Sequence, residues 1–361
     1  MTPPLGTPVR ELDTPALLVD VEALERNIAR MADWSRRTGR AVRPHAKAHK
    51  TPLVARKQLE AGAIGICCSK VGEAEAMVAG GVPDVLVTSE VVGPTKIARL
   101  ISLAHHATVR VVVDDAVNAD LLSRAAAAAG VTLGVLVEVN VGQERCGVAP
   151  GAPAADLAGH LAKLPALRFD GIQGYEGNLQ HIRTPEERRE RCLQSMARLL
   201  DSRRAVESRG LTVTICTTAG TGTHEIAGLH EGVTEVQPGS YIWMDADYGQ
   251  VQGLPYEGAL TVLTSVISRQ RPGAAIVDAG QKAVSMDGAG GTRVKGGKLA
   301  YAPMGDEHGK LTGDDLPALG EVVELVPSHC DTTVNLHDDL HVIRDGRLEA
   351  VWTIAGRGKF R

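Results

Sequence analysis

A short basic segment, RPHAKAHKTP at residues 43–52, carries the side chains most able to do covalent chemistry. In a β-strand, side chains two residues apart lie on one face. The basic side chains that would share such a face are Arg43, His45, Lys47 and His49. Neighbouring cations lower the pKa of a lysine and leave more of it as a free amine, which can form a Schiff base with a carbonyl. We therefore expect Lys47 to be a nucleophile rather than an ordinary surface lysine.

Two later segments, AGTGT at residues 219–223 and QPGSY at residues 237–241, are suited to holding an anion. Glycines let backbone N–H groups approach a phosphate closely, and Thr and Ser hydroxyls add donors. A phosphate site together with a reactive amine indicates pyridoxal phosphate rather than a nucleotide. The residues of the predicted phosphate cradle are Gly220, Thr221, Gly222, Thr223, Gln237, Gly239, Ser240 and Tyr241.

The elements that must position these residues alternate between short apolar runs and longer segments rich in Ala, Leu, Arg and Glu. Eight candidate strands, each next to a helical segment, predict an α/β fold with a parallel sheet closed into a (β/α)8 barrel. The alternative is an open doubly wound sheet, but no G-x-G-x-x-G motif follows the first strand. The candidate strands are residues 41–46, 65–68, 85–88, 109–114, 133–140, 169–175, 213–217 and 234–237.

The predicted helix boundaries indicate where Lys47 lies relative to the barrel strands. Residues 21–37 show helical spacing of apolar side chains, and Thr51 followed by Pro52 is a typical helix start. Lys47 then lies near the carboxyl end of the first barrel strand. Barrel enzymes hold their active sites at that end, and they commonly bind phosphate with the loops after strands seven and eight.

Past the eighth strand the helical periodicity mostly disappears and strand-like runs dominate. The predicted domains are a barrel over residues 14–249 and an all-β domain over residues 250–361, the latter together with residues 1–13. An Asp-Gly turn at Asp345 predicts a hairpin in the second domain. The extended segment at residues 14–20 is expected to pair with this domain or to lead into the barrel.

Composition excludes several classes of protein. The chain has 361 residues, a formal net charge of -4 and 43% apolar residues, with no basic tract of the kind that binds nucleic acid. Its apolar runs are far shorter than the ~18 residues of a membrane span, and the N-terminus does not resemble a signal peptide. The 6 cysteines lack C-x-x-C spacing, which favours reduced core cysteines in a cytoplasmic protein that acts on a small molecule.

Six motifs, in order along the chain, resemble the D-threonine aldolase family. Relatives of that family are the 3-hydroxy-D-aspartate aldolases and, further away, the D-serine dehydratases. The resemblance runs from about Thr14 to Gly358. The motifs are RPHAKAHKT at residues 43–51, GICCSK at 65–70, GQERCGV at 142–148, GSYIWMDAD at 239–247, DEHG at 306–309 and PSHCDTTVNLHD at 327–338.

The resemblance implies a fold-type III pyridoxal-phosphate enzyme like alanine racemase, with an N-terminal barrel, a C-terminal β-domain and a homodimeric assembly. Lys47 matches the Schiff-base lysine. Arg145 matches an arginine near the phenolic oxygen of the cofactor or the substrate carboxylate, and Tyr175 matches the residue beside the pyridine ring. The chain departs from the family at Thr218-Ala219, where relatives often have glycines, and at Glu176, where the usual residue is histidine.

The resemblance also points to a metal ion. His329 and Asp331 are two residues apart in a segment expected to continue a strand, so both could face one ion while Cys330 points away. One imidazole and one carboxylate suit Mn²⁺ or Mg²⁺, whereas a thiolate would favour Zn²⁺. The D-serine dehydratases carry His-x-Cys at these positions, so His329-x-Asp331 favours the aldolase branch.

The implied reaction is the retro-aldol cleavage of D-threonine and other β-hydroxy-D-amino acids to glycine and an aldehyde, which makes the chain a carbon–carbon lyase. The pyridine ring accepts electrons from Cα, and a metal on the β-hydroxyl lowers its pKa. His181 is the candidate base, since the unperturbed pKa of histidine is near ~6.5.

Three alternatives stay open at this point. Cleavage of 3-hydroxy-D-aspartate to glycine and glyoxylate would need an extra cation, which His45, His49 or Lys70 could supply. Dehydration of D-serine would release pyruvate and ammonia instead of glycine. A non-catalytic pyridoxal-phosphate carrier is disfavoured by the long C-terminal domain with its metal pair.

Overall fold

The computed structural model describes residues 3–361, which form two compact units. The barrel unit holds residues 31–47, 52–239 and 359–361. The β unit holds the described part of residues 1–30 together with residues 48–51 and 240–358. The domain boundary predicted after residue 249 stays a prediction, because the two compact units do not show which parts of the chain fold independently.

The first strand and helix form where the sequence predicts them. β1 (Ala16–Asp20) is an apolar run whose first four residues are buried. The side chain of Asp20 accepts a hydrogen bond from the N–H of Ala23 at 2.9 Å, which satisfies a donor in the first turn of α1 (Val21–Thr38).

Eight parallel strands form the sheet of the barrel unit, in the order β2-β9-β8-β7-β6-β5-β4-β3. The two outer strands are joined to each other, because Ile64 N–H donates to Val42 O at 3.0 Å and Cys67 N–H donates to Pro44 O at 2.8 Å. The sheet therefore closes, and the predicted (β/α)8 barrel is confirmed. An interior apolar cluster consists of Cys67, Leu86, Val112, Leu136 and Ile215.

The barrel strands and helices alternate along the chain. The strands are β2 (Ala41–Val42), β3 (Ile66–Cys68), β4 (Asp84–Val87), β5 (Thr108–Val113), β6 (Leu133–Glu138), β7 (Leu167–Gln173), β8 (Ile215–Thr218) and β9 (Glu235–Val236). The helices are α2 (Pro52–Glu60), α3 (Val71–Ala79), α4 (Pro94–Leu103), α5 (Ala116–Ala129), α6 (Ala152–Leu161), α7 (Pro185–Glu207) and α8 (His224–Ala227).

Charged side chains meet inside the amino-terminal end of the barrel. Arg43 donates to Asp84 and, from Nε, to Glu235 Oε1 at 3.1 Å. Arg110 pairs with Asp84 and with Asp170, each at 2.8 Å. Arg43 and Glu235 are both buried, and their mutual charges compensate for the loss of hydration.

The β unit contains the remaining strands, the part of α1 up to Arg30 and the short helix α9 (Cys330–Val334). β1 lies between β10, to which it is antiparallel, and β16, to which it is parallel. Of the two alternatives for residues 14–20, pairing with the β unit is therefore confirmed. The predicted hairpin is confirmed, since β16 and β17 are antiparallel and Asp345 and Gly346 both have positive φ. The elements are β10 (Leu260–Ser268), β11 (Ala274–Val277), β12 (Arg293–Val294), β13 (Ala300–Pro303), β14 (Gly309–Thr312), β15 (Val322–Val326), α9 (Cys330–Val334), β16 (Asp339–Arg344) and β17 (Arg347–Thr353).

The six cysteines are unbridged. Five of them are buried, in agreement with the prediction of core cysteines, whereas Cys146 is exposed and departs from it. Within residues 3–361, no helix combines the length and apolar character that crossing a membrane requires.

Candidate functional site

Lys47 lies where the sequence predicts it, just beyond the carboxyl end of the first barrel strand. It is partly buried between Ala46 and Ala48, which are both buried. The local conformation is not the predicted one, because β2 ends at Val42 and Lys47 is the middle residue of a 3₁₀ turn. Pro44 has no N–H to donate to a neighbouring strand, which helps to end the regular pairing here.

The predicted cationic face around Lys47 is therefore wrong. Side chains in a 3₁₀ turn do not alternate between two faces. Arg43 is held in buried ion pairs with Glu235 and Asp84. His45 accepts from the backbone N–H of Lys47 at Nδ1, at 3.4 Å, and its Nε2 lies 3.0 Å from the Thr88 hydroxyl. The charge of Arg43 is therefore compensated, and both ring nitrogens of His45 lie within reach of hydrogen-bonding groups.

Arg145 and Tyr175, predicted from different strands, come together in the barrel unit. The guanidinium carbon of Arg145 lies 5.8 Å from the centre of the Tyr175 ring. This distance is within the range of a cation–π contact. Tyr175 follows β7 and is partly buried, whereas Arg145 is exposed in the loop after β6.

The predicted phosphate loop at residues 219–223 follows β8 and is buried throughout. Its shape is held by two side chains from the segment after β7. Glu176 Oε2 accepts from the Thr218 hydroxyl at 2.9 Å, and Gln180 Oε1 accepts from the N–H of Gly222 at 2.8 Å. Burial raises the pKa of the Glu176 carboxyl.

Gln237, from the second predicted phosphate segment, belongs to a chain of hydrogen bonds inside the barrel. Its Nε2 donates to Gln173 Oε1 at 2.7 Å and to Thr217 Oγ1 at 2.9 Å. Gln173 in turn donates to Glu138 Oε2 at 2.7 Å. Burial, together with the charge of nearby Glu90, raises the pKa of Glu138 to about 8.

The other predicted cradle residues follow Gln237 along the chain. Gly239 is buried and ends the main part of the barrel unit. Ser240 and Tyr241 are also buried but belong to the β unit, where the Tyr241 ring makes an edge contact with Tyr256. His181 lies in the loop between β7 and α7 and is partly buried, and its role as a base stays a prediction.

His329 and Asp331 lie at the start of a helix rather than in a strand, so the predicted conformation of this pair is wrong. His329 is the N-cap of α9, and Asp331 is in the first turn. They still come together, with His329 Nε2 4.0 Å from Asp331 Oδ2. Cys330, the residue between them, is buried. Its N–H donates to Asp245 Oδ2 at 2.8 Å, and this bond holds the first turn of α9 in place.

Asp287 is a further member of this group that the sequence analysis missed. His329 Nδ1 lies 2.9 Å from Asp287 Oδ2, and the hydroxyls of Thr332 and Ser285 donate to Asp287 Oδ1. Burial alone would lower the pKa of His329, but Asp331 and Asp287 outweigh it and raise that pKa. Nothing in the spacing of Asp287, 42 residues before His329, could have indicated this pairing.

A second set of possible metal ligands lies in the barrel unit. One side-chain atom from each of Glu90, Asp114 and Cys146 lies within 4.8 Å of the others. Burial and the neighbouring Glu90 raise the pKa of the Cys146 thiol to about 11.

Comparison with known proteins identifies both parts of the chain. A profile described as "Alanine racemase, N-terminal domain" matches residues 19–247, and one described as "Putative serine dehydratase domain" matches residues 259–343. A D-threonine aldolase from Arthrobacter sp. is 43% identical, over 98% of this chain and 95% of the relative. A 3-hydroxy-D-aspartate aldolase from Paracoccus denitrificans (strain Pd 1222) is 40% identical, over 98% and 94%. The crystal structure of D-threonine aldolase from Filomicrobium marinum matches with a TM-score of 0.96 and 41% identity, over 99% of this chain and 100% of that one.

Proposed function

Because the chain belongs to the D-threonine aldolase family, we propose that it is a pyridoxal-phosphate- and metal-dependent aldolase. It cleaves D-threonine and other β-hydroxy-D-amino acids to glycine and an aldehyde. The observation that carries this proposal is the pairing of His329 with Asp331 in a chain that also has Lys47 just beyond the carboxyl end of its first barrel strand.

The barrel unit fits pyridoxal phosphate by its donor set. Lys47 offers a primary amine, and Arg145 lies against the ring of Tyr175. The loop at residues 219–223 is buried and held by side chains behind it, as a preformed anion cradle requires. Gly222 has no room for a Cβ, which would lie 2.2 Å from Gln180 O.

The β unit fits a divalent cation. An ion about 2.1 Å from each ligand spans ligand separations from roughly 3 Å to about 4.2 Å, and the 4.0 Å between His329 Nε2 and Asp331 Oδ2 falls in this range. The nitrogen and oxygen donors favour Mn²⁺ or Mg²⁺ over metals that prefer thiolate. Asp287 on Nδ1 is the carboxylate partner that metal-binding histidines usually have.

When bound, pyridoxal phosphate withdraws electrons from Cα and the cation lowers the pKa of the substrate hydroxyl. Lys47 would hold the cofactor through its amine. Tyr175 would lie beside the cofactor ring, and Arg145 would bind the phenolic oxygen of the cofactor or the substrate carboxylate. His181 accepts the proton of the β-hydroxyl at an imidazole nitrogen as the Cα–Cβ bond breaks.

A second candidate substrate is 3-hydroxy-D-aspartate, favoured by the 40% identity to an aldolase of that name. Its additional carboxylate would need a cation or a donor in the barrel. His45 is buried and is a candidate to supply a ring N–H donor.

The family further leads us to propose a cytoplasmic homodimer. Light scattering coupled to gel filtration would test the assembly, with a mass of about twice the 38.0 kDa of one chain expected.

The direct test is to supply purified protein with pyridoxal phosphate and Mn²⁺ and to measure glycine release from D- and L-3-hydroxy amino acids. We expect glycine and acetaldehyde from D-threonine, little from L-threonine, and loss of turnover on chelation. If 3-hydroxy-D-aspartate is cleaved faster, the second candidate is the correct substrate. Formation of 2-oxo acid and ammonia in place of glycine would contradict the proposal.

A further inference from the structure

Glu176, the residue after Tyr175, places a fully buried carboxylate against the loop that follows β8. Three donors from that loop reach it. Thr218 Oγ1 donates to Oε2 at 2.9 Å, the N–H of Ala219 donates to Oε2 at 3.3 Å, and the Thr223 hydroxyl donates to Oε1. One carboxylate thus bonds to the loop on both sides of its glycines.

The contact with Ala219 explains how the loop keeps an unfavourable backbone conformation. Ala219 has φ 66°, a left-handed value that residues with a Cβ rarely adopt unless their surroundings hold them there. The N–H of this residue points at Glu176. Accepting this bond gives a buried N–H a partner that it would otherwise lack, so the contact can offset part of this strain.

Gln180 holds the other part of the loop from the same segment. Its Oε1 accepts from the N–H of Gly222, and its Nε2 donates to Thr223 Oγ1 at 2.9 Å. A Cβ on Gly220 would lie 2.6 Å from Gln180 Oε1. The loop therefore lies directly on residues 176–180, and those residues act as its template.

We propose that Glu176 is a positioning residue that holds residues 218–223 in the shape that binds the cofactor phosphate. This inference rests on the proposed function, since it assumes that the loop receives pyridoxal phosphate. It also links the two positions at which the sequence departs from the family, because Glu176 and Thr218-Ala219 are hydrogen-bonded to each other.

The experiment compares pyridoxal phosphate with pyridoxal, which has the same ring and aldehyde but no phosphate. Glu176→Gln keeps the size of the side chain but replaces one acceptor oxygen by an amide that can only donate. Thr218→Val removes one partner of Glu176 and leaves the carboxylate in place. Thr234→Val is the matched control, because the Thr234 hydroxyl bonds to the backbone of Cys216 in β8, away from Glu176.

The measurement is the dissociation constant of each compound for the apo-protein, followed by absorbance, with thermal melting of each apo-protein alongside. We expect Glu176→Gln to weaken the binding of pyridoxal phosphate roughly tenfold or more, the range for a buried donor left without its acceptor. The affinity for pyridoxal should change less than about twofold. Thr218→Val should also weaken the binding of pyridoxal phosphate more than that of pyridoxal. The double variant should bind pyridoxal phosphate only slightly more weakly than Glu176→Gln alone. Thr234→Val should leave the ratio of the two constants unchanged.

Equal weakening of both compounds by Glu176→Gln, or no weakening of either, would overturn the inference while leaving the proposed function intact. If Glu176→Gln does not fold, the ratio of the two dissociation constants measured for Thr218→Val tests the inference in the same way. A wild-type protein that takes up no pyridoxal phosphate would instead remove the proposed function itself, and the inference with it.

Discussion

At the scale of single residues, the ring of His329 is oriented by a carboxylate on the side away from Asp331. Asp287 lies at Nδ1, which leaves Nε2 as the nitrogen that faces Asp331. Such a partner fixes the tautomer and strengthens the imidazole as a ligand. Candidate site residues such as Lys47 and His329 could be named from the sequence because residue types in a motif carry that information. Asp287 could not, since its place beside His329 depends on contact in the folded chain.

Asp287→Asn is expected to weaken Mn²⁺ binding about 10- to 100-fold. The reason is that a neutral amide replaces the carboxylate that orients the imidazole ring of His329. Titration followed by electron paramagnetic resonance measures this without turnover. Uptake of pyridoxal phosphate should be unchanged. Asp314→Asn, at an exposed position in the same unit, is the control. Unaltered Mn²⁺ affinity in Asp287→Asn would show that the contact has no part in metal binding.

Glu138 gives a pH dependence of stability that a single substitution removes. Burial raises its pKa from 4.5 to about 8, so the folded protein binds more protons than the unfolded chain between these values. The contribution of Glu138 to stability is therefore largest below pH 4.5 and is lost as the pH rises through about 8. As the pH rises from 4.5 to about 8, the urea midpoint of the wild type should fall relative to that of Glu138→Gln. Parallel curves would contradict the raised pKa.

At the scale of elements, the order of strands and helices was predictable and their ends were not. Apolar runs determine where barrel strands lie, but β2 stops at Val42, well short of the predicted end at residue 46. The reason is local, because a proline and a 3₁₀ turn follow. The same holds at His329, where hydrogen bonds to neighbouring segments make a helix start out of a predicted strand.

Gly171 in β7 illustrates a packing constraint between two barrel strands. It has φ 153°, and a Cβ there would lie 1.8 Å from Ile215 O in β8. Gly171→Ala should therefore lower the free energy of unfolding by about 3 kcal/mol, through strain and displaced backbone. Gly210→Ala has a positive φ but no neighbour within 4 Å, so it should lose only about 1 kcal/mol. Equal losses in urea denaturation would mean that the close strand contact is not limiting.

At the scale of the whole molecule, closure of the barrel brings together charges that are distant in sequence. Arg43 and Glu235 are 192 residues apart, yet they form a buried ion pair at the amino-terminal end of the strands. The eight-unit alternation predicted the barrel. It could not predict this pair, because the partner of Arg43 is determined by which strands become neighbours when the sheet closes.

Glu235→Gln should destabilise the protein by about 3 to 5 kcal/mol, since it leaves the buried Arg43 without part of its compensating charge. Asp156→Asn breaks an exposed pair with Arg209 and should lose less than about 1 kcal/mol. Denaturant unfolding of both variants measures the contrast. A loss below about 1 kcal/mol for Glu235→Gln would show that Asp84 alone can balance Arg43.

The central claim is that Lys47 carries the cofactor. The most direct measurement is borohydride reduction of the protein loaded with pyridoxal phosphate, followed by mass spectrometry of its peptides. We predict one reduced cofactor adduct, on Lys47 and not on Lys50 three residues later. An adduct on another lysine, or a protein that stays colourless and unlabelled with excess cofactor, would contradict the account.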